Sequence, residues 1–253
     1  MNHVIYEDLG HNGRLGNQLF QIYSTLGIAK DSDRVAVFNK HQVSILDMIN
    51  SSYLTYYHEI AKQVVEYDSL SYTDFKSIDG NILIKGYLQC PLYFKNLSSE
   101  CFQIKYAQDI DKKLGFTIRD NYAFVHIRRG DYVQVSSYLL SLDYYINKMI
   151  KMQEIHKKEM KFFIFSDDIE YVRHHFYNIS SVNITYVDLV DPIHTLFLMS
   201  LFNHGILSNS SFSWWAARLN KEKISLAFPD HWFNKNIDDT KYLVDMNYSY
   251  IKV

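Results

Sequence analysis

The stretch Asn121-Tyr122-Ala123-Phe124-Val125-His126-Ile127-Arg128-Arg129-Gly130-Asp131-Tyr132 decides how this chain is read. Residues 122–128 predict a strand, mainly apolar, that ends in two adjacent arginines. Arginine keeps its charge and offers a planar fork of donors matched to phosphate oxygens. At the carboxyl end of a strand, where α/β sheets collect their ligands, such a group suits a diphosphate clamp. The alternative is a solvated charge pair after an edge strand. By the two-residue strand period Phe124, His126 and Arg128 share one face and can reach one ligand. Arg129 points the other way unless the strand has already ended.

Downstream, helical and strand periods alternate. A helix is predicted over Leu142 to Lys157, capped by Ser141, with Leu142, Tyr145, Ile146 and Met149 on one face. Phe162 to Phe165 reads as a buried strand, Val172 to Phe176 as helix and Ile184 to Val187 as strand. Asp191 followed by Pro192 is a paired start signal for a helix through Phe202. Gly205 to Leu207, Ser210 to Leu219 and Ile224 to Phe228 continue as strand, helix and strand. This rhythm predicts a doubly wound parallel sheet.

Upstream, Val4 to Tyr6 reads as a strand, and three glycines at 10, 13 and 16 mark a tight turn. Leu19, Ile22, Tyr23 and Leu26 then predict a helix ending near Lys30, and Arg34 to Phe38 the next strand. Between residues 40 and 110 the expectations are helix at Leu46 to Ile49 and Tyr56 to Val65, and strand at Ile82 to Leu88. The fold class expected is therefore α/β, two Rossmann-like lobes facing one cleft. The lobes are 1–115, with the Gly-rich loop, and 116–253, joined through the polar run Asp111 to Asp120. The final ~15 residues are expected to pack back on the first lobe.

With 26 basic and 28 acidic residues and a formal charge of -2, no global electrostatic reason exists for a nucleic acid or an anionic membrane as partner. Cys90 and Cys101 are too sparse for a disulfide framework or a zinc motif and are expected as free thiols. The start of the chain, through Glu7, Asp8 and His11, shows no basic segment followed by an apolar core. No apolar run reaches the length of a membrane span either, so a cytoplasmic place is expected. Trp214 and Trp215 are expected in the core.

Three further segments with site chemistry fall at corresponding places. Ser210 and Ser211 sit where a strand turns into a helix, so their N–H groups and hydroxyls either meet an anion or simply cap the helix. Asp167 and Asp168 either accept from a guanine edge and ribose hydroxyls or serve as first-turn acids of the next helix. Gly13-Arg14-Leu15-Gly16-Asn17 lacks a Walker ending and a dinucleotide spacing, yet places backbone donors at Gly16 and the Asn17 amide at a helix start. Asp167-Asp168 is not an Asp-x-Asp, which favours a metal-free site. Arg129-Gly130-Asp131 spells an adhesion tripeptide, too short to be specific and placed after a buried strand.

Together these segments resemble the bacterial members of the α-1,2-fucosyltransferase family, glycosyltransferase family 11. The resemblance rests on Gly13-Arg14-Leu15-Gly16-Asn17-Gln18-Leu19-Phe20-Gln21, Gly86-Tyr87-Leu88-Gln89 with Tyr93-Phe94, His126 to Tyr132, Phe165 to Asp168, and Asn209 to Ala217 with Leu219-Asn220. It implies a GT-B fold, GDP-fucose as donor substrate, inversion at the fucose anomeric carbon, and neither cofactor nor metal. It also implies 1–115 as the acceptor-side lobe, 116–253 as the nucleotide-sugar-binding lobe and Arg128 as the catalytic residue on the diphosphate; the strand reading adds His126 on the same face as a ligand contact and Arg129 as its support. Asn17 is implied near the leaving phosphate, Asp167 near the nucleoside, and Ser210, Ser211 and Phe212 near the phosphates; the Gly16 backbone donor is the addition of the loop reading. The implied acceptor is a glycan hydroxyl, O2 of a galactose. If the acceptor is lipid-linked, the protein works at the inner face of a bacterial membrane. This chain has Asn12-Gly13 where many relatives have Gly-Gly, and it is short for the family.

For the acceptor proton, Asp131, Glu7, Asp8 and His11 are all candidates by position, and none is assigned. The rival functions are transfer of another nucleotide-linked sugar on the same scaffold, and a non-catalytic nucleotide-sugar or glycan-binding module.

Overall fold

The computed structural model describes residues 1–38, 55–56, 63–64, 72–97, 117–188, 191–220, 222–232, 242–244 and 250–253. The chain forms two compact units, Met1–Tyr106 and Ala107–Val253. The expected lobe boundary falls a few residues later, in a stretch outside the described residues.

In the first unit, β1 (His3–Tyr6) leads through the glycine loop into α1 (Leu15–Asp31), then β2 (Val35–Phe38). The short strands β3 (Thr55–Tyr56), β4 (Gln63–Val64) and β5 (Ile82–Leu83) complete a parallel sheet of order β3-β2-β1-β5-β4. The helix expected over Tyr56 to Val65 is corrected at both its described ends, which are strand. The strand expected over Ile82 to Leu88 stops at Leu83, and beyond it Gly86 and Leu88 take positive φ of 102° and 52°, which takes the chain out of the ladder. Leu46 to Ile49 lies outside the described residues. Helix α1 buries 12 of its 17 residues. A Cβ on its Gly27 would lie 1.9 Å from the Tyr93 carbonyl oxygen, so glycine is required for the close approach of the 3₁₀ turn Pro91–Phe94.

The second unit follows its sequence rhythm closely. Its elements are β6 (Tyr122–Ile127), α2 (Leu142–His156), β7 (Lys161–Ser166), α3 (Ile169–His175), β8 (Asn183–Tyr186), α4 (Pro192–Leu201), β9 (His204–Ile206), α5 (Ser211–Arg218), β10 (Ser225–Ala227) and β11 (Ile251–Lys252). The parallel sheet has the order β11-β10-β9-β6-β7-β8. β11 pairs with β10, so Ile251 and Lys252 belong to the sheet of the second unit. A strand of two exposed residues carries too little pattern to be foreseen.

Side-chain alternation sorts the faces of β6. Ala123, Val125 and Ile127 bury against Tyr145, Met149 and Met152 of α2. Phe124 and His126 face the other layer, with rings 6.5 Å from Phe202 and 5.3 Å from Phe212. The start signals act as read: Ser141 accepts from the Tyr144 N–H at 3.3 Å and Asp191 from the His194 N–H at 2.8 Å.

The second sheet reverses its winding once among the described strands, between β6 and β9, and in the first sheet the chain leaves β1 toward β2 and comes back to its other side at β5. Carboxyl-end loops at such switch points form the crevices where doubly wound sheets bind ligands. The loops at these two places contain the motifs singled out in the sequence.

Candidate active site

At the switch point of the second unit, β6 ends at Ile127 and the chain turns at once into the 3₁₀ segment Gly130–Gln134. Because the strand has ended, Arg128 and Arg129 no longer obey its alternation. Arg128 donates from Nη1 to Asp167 Oδ2 and from Nη2 to Asp131 Oδ1, with its guanidinium 5.2 Å over the Tyr132 ring. Arg129 instead donates from Nε to Asp168 Oδ2 at 3.1 Å and lies 3.2 Å over the Tyr171 ring. Asp168 is the N-cap of the helix that carries Tyr171, so Arg129 ties the turn to α3. Asp168 stands at the N-cap of α3, but its carboxylate serves Arg129 and makes no capping bond.

The second wall of the crevice is the β9 to α5 turn. Ser210 accepts from the Phe212 N–H at 3.3 Å, so the capping role weighed for it is real. Ser211 and Phe212 are half-buried in the first turn of α5, at the positive end of its dipole. His126, 5 % exposed, places Nδ1 3.1 Å from the Ser208 hydroxyl, which ties β6 to β9 across the switch. Asn209, a residue whose role the sequence did not disclose, locks the surroundings together. Its side-chain amide donates to the carbonyls of Tyr138 and Trp232 at 2.9 Å each, and its own carbonyl accepts from the Tyr132 hydroxyl at 3.1 Å. Tyr171 was likewise not foreseen, because a partner 42 positions beyond Arg129 leaves no local pattern. Burial pushes the Tyr145 phenol well above its ordinary value, so this residue beneath the strand ends stays neutral. Trp214 and Trp215 are fully buried, as expected of core residues.

In the first unit, Gly13 takes φ of 82° and a Cβ there would lie 2.5 Å from Asn17 Nδ2. Gly16 and Asn17 occupy the first turn of α1, whose N-cap Arg14 makes no side-chain capping bond. Asn17 Oδ1 accepts from Gln89 Nε2 at 2.9 Å, which joins the two motifs flanking the β1/β5 switch. Gln21 donates to the carbonyls of Asn12 at 3.0 Å and Gly86 at 3.4 Å, and the Tyr6 hydroxyl reaches the same Gly86 carbonyl at 2.5 Å. Glu7, Asp8 and His11 lie in the loop after β1, half-buried or exposed, whereas Asp131 belongs to the second unit and holds Arg128.

These geometries meet a clear set of similarities. A protein from Escherichia coli named alpha-1,2-colitosyltransferase is 31% identical over 171 residues, 63% of this chain and 59% of that protein. The Bos taurus galactoside 2-alpha-L-fucosyltransferase SEC1 is 25% identical over 235 residues, 82% of this chain and 62% of its own length. The chain thus spans about three fifths of each of these relatives. Among solved structures, POFUT1 in complex with GDP-fucose superimposes with a TM-score of 0.54 at 12% identity, covering 91% of this chain and 95% of that one, a likeness of fold. The profile of Glycosyl transferase family 11 matches residues 6–251, nearly the entire length, and the chain belongs to that family.

Proposed function

We propose that this protein transfers fucose from GDP-fucose to O2 of a galactose in a glycan acceptor, with inversion at the anomeric carbon. The observation that carries this reading is Arg128, 11% exposed, at the β6/β9 switch, two residues beyond His126, whose ring lies 5.3 Å from that of Phe212 in the first turn of α5. Breaking the fucose C1–O bond gives an oxocarbenium-like centre and puts charge on the β-phosphate of GDP. A guanidinium and helix N-terminal donors held beside that oxygen stabilise the charge as it develops, and no metal is required for the step. Two of the five N–H donors of Arg128 are engaged by Asp131 and Asp167, an arrangement that fixes the plane of the fork. Asn17 is assigned to the leaving phosphate on the family resemblance and is tested separately by Asn17→Ala.

The relatives support the donor and the linkage through their names, and one of them opens a second reading. Colitose is 3-deoxyfucose, so the similarity to a colitosyltransferase favours GDP-colitose as the alternative donor. The acceptor is proposed to be a surface-polysaccharide unit on a lipid carrier at the inner face of the membrane. Among the described residues no helix is long and apolar enough to cross a membrane. The association proposed is peripheral, and cosedimentation with vesicles tests it.

The decisive experiment supplies GDP-fucose, GDP-colitose and other GDP- and UDP-linked sugars with a panel of galactosides, followed by linkage analysis of the product. Transfer of fucose to O2 with inversion, retained in the presence of EDTA, is the expected result. Binding of nucleotide sugars without turnover on any acceptor would make the protein a binding module instead. Arg128→Ala is expected to cut turnover by about 10²- to 10³-fold. Near-wild-type rates in both Arg128→Ala and Arg128→Lys would remove the clamp assignment.

A further inference from the structure

Both oxygens of the Asp167 carboxylate have partners inside the protein. Oδ1 accepts the backbone N–H groups of Arg129 at 2.8 Å and Gly130 at 3.1 Å, while Oδ2 takes Nη1 of Arg128. The sheet prepares this meeting. In the ladder His126 pairs with Phe165 and Ile127 with Ser166, so Arg128 and Asp167 are the first residues beyond their two strands. Gly130 completes it, because a Cβ there would come within 2.4 Å of Oδ2 and push the carboxylate off the turn. Asp168 is built differently: its carboxylate serves the support residue Arg129, and its side chain is 37% exposed against 25% for Asp167.

We infer that Asp167 is a positioning residue that holds the Arg128 guanidinium in place for the departing phosphate, rather than a contact to the nucleoside. The inference rests on the proposed role of Arg128. An arginine side chain has many rotamers, and only one of them directs its fork at a given oxygen. A carboxylate anchored by two backbone N–H groups is a fixed point against which that rotamer is selected. Gly130 belongs to the same device, since it is the residue that admits the carboxylate.

Asp167→Asn tests this, because it keeps the shape and an acceptor oxygen while removing the charge that holds Arg128. Turnover with GDP-fucose should fall roughly 10- to 100-fold, the scale of one charge-assisted hydrogen bond. Equilibrium preference for GDP over IDP, ADP and UDP should stay unchanged. Gly130→Ala should lower turnover in the same way, and the double variant should be little worse than either single one, since both break one contact. Gly130→Ala also carries the test if Asp167→Asn fails to fold. Loss of guanine preference with unchanged turnover would make Asp167 a nucleoside contact and overturn the inference. Unchanged values on both counts, or multiplying effects in the double variant, would overturn it equally. Retained transfer in Arg128→Ala is a different failure, since it removes the role of Arg128 itself.

Discussion

The loops that leave β1 and β6 hold equivalent places in their two sheets, yet they are built from opposite chemistry. The first is held by neutral carboxamides: Gln18 donates to the Gly13 carbonyl at 3.3 Å, Gln21 to Asn12 and Gly86, and Gln89 to Asn17. The second is held by charge, with Asp131 and Asp167 on Arg128 and Asp168 on Arg129. Carboxamides that grip backbone carbonyls define the path of a chain. Carboxylates that grip guanidinium groups define where a cation points. One loop is thus specified as a shape and the other as a field, and changes in the two loops should have different signatures.

The largest effect belongs to the charged loop. Arg128→Ala should cost about 3 to 4 kcal/mol of transition-state stabilisation, read from single-turnover rates with GDP-fucose. Asp167 keeps its two backbone donors in that variant, so thermal unfolding should change far less than turnover. A large loss of stability with little loss of rate would mean that the ion pairs serve the fold, and the contrast between the loops would collapse.

Next in size is an effect at the opposite end of the same sheet. His204, fully buried, must donate from Nε2 to the Asp120 carbonyl at 2.8 Å, since a carbonyl can only accept. Its Nδ1 therefore accepts from the Ser225 hydroxyl at 2.7 Å, and Ser225 in turn accepts from His156 Nε2 at 3.0 Å. Burial, opposed by the bond to the Asp120 carbonyl and aided by the electrostatics of His156, Lys158 and Lys223, lowers His204 from 6.5 to about 4. A buried neutral imidazole contributes its full stability above pH 6.5 and loses it as pH falls toward 4, because the unfolded chain takes up the proton first. The loss should reach about 3 kcal/mol at most, measured by urea unfolding at a series of pH values, and should shrink in His204→Gln. Equal pH dependence in the variant would assign the acid sensitivity elsewhere.

The glycines give a smaller and more direct comparison. Gly13→Ala meets both a left-handed backbone and the Asn17 side chain, and should destabilise by about 1 to 2 kcal/mol, measured by thermal unfolding. Gly130 is not among the positive-φ residues, so alanine there acts through the contact with Asp167. A shape loop should register the substitution in stability, a field loop in turnover. Reversal of that pattern would show that the two loops are specified alike.

What could be read in advance follows the same division. The elements of the second unit were legible because five or six apolar residues in a row, or a Ser, Asp or Pro at a helix start, leave a local trace, as at Ser141 and Asp191-Pro192. In the first unit Thr55–Tyr56 and Gln63–Val64 are strands of two residues, too short for any period, and Leu88 adopts a positive φ that its side chain does not advertise. At the site, the arginines and their motif stood out, but their partners did not. Asp167 reaches Arg128 through strand register, Tyr171 reaches Arg129 from α3, and Asn209 bridges to Tyr138 and Trp232. Each is a contact across elements, created by the fold and invisible to spacing.

The smallest effect separates the two carboxylates on Arg128. Asp131 is 62% exposed and three residues along the chain from its partner, so its pair should be worth only about 0.2 to 1 kcal/mol. The turn gathers three carboxylates, Asp131, Asp167 and Asp168, around two guanidinium groups, a local excess of one negative charge facing an incoming diphosphate. Asp131→Asn removes that excess and releases one donor of Arg128 for a phosphate oxygen. GDP should therefore bind about two- to fivefold more tightly, by isothermal titration at low salt, and the gain should fade as ionic strength rises. Weaker binding, matched by the slowed turnover expected of Asp167→Asn, would make both carboxylates anchors of one kind. Unchanged binding with lost turnover would instead give Asp131 the acceptor proton, and the charged loop would then hold both the leaving-group clamp and the base.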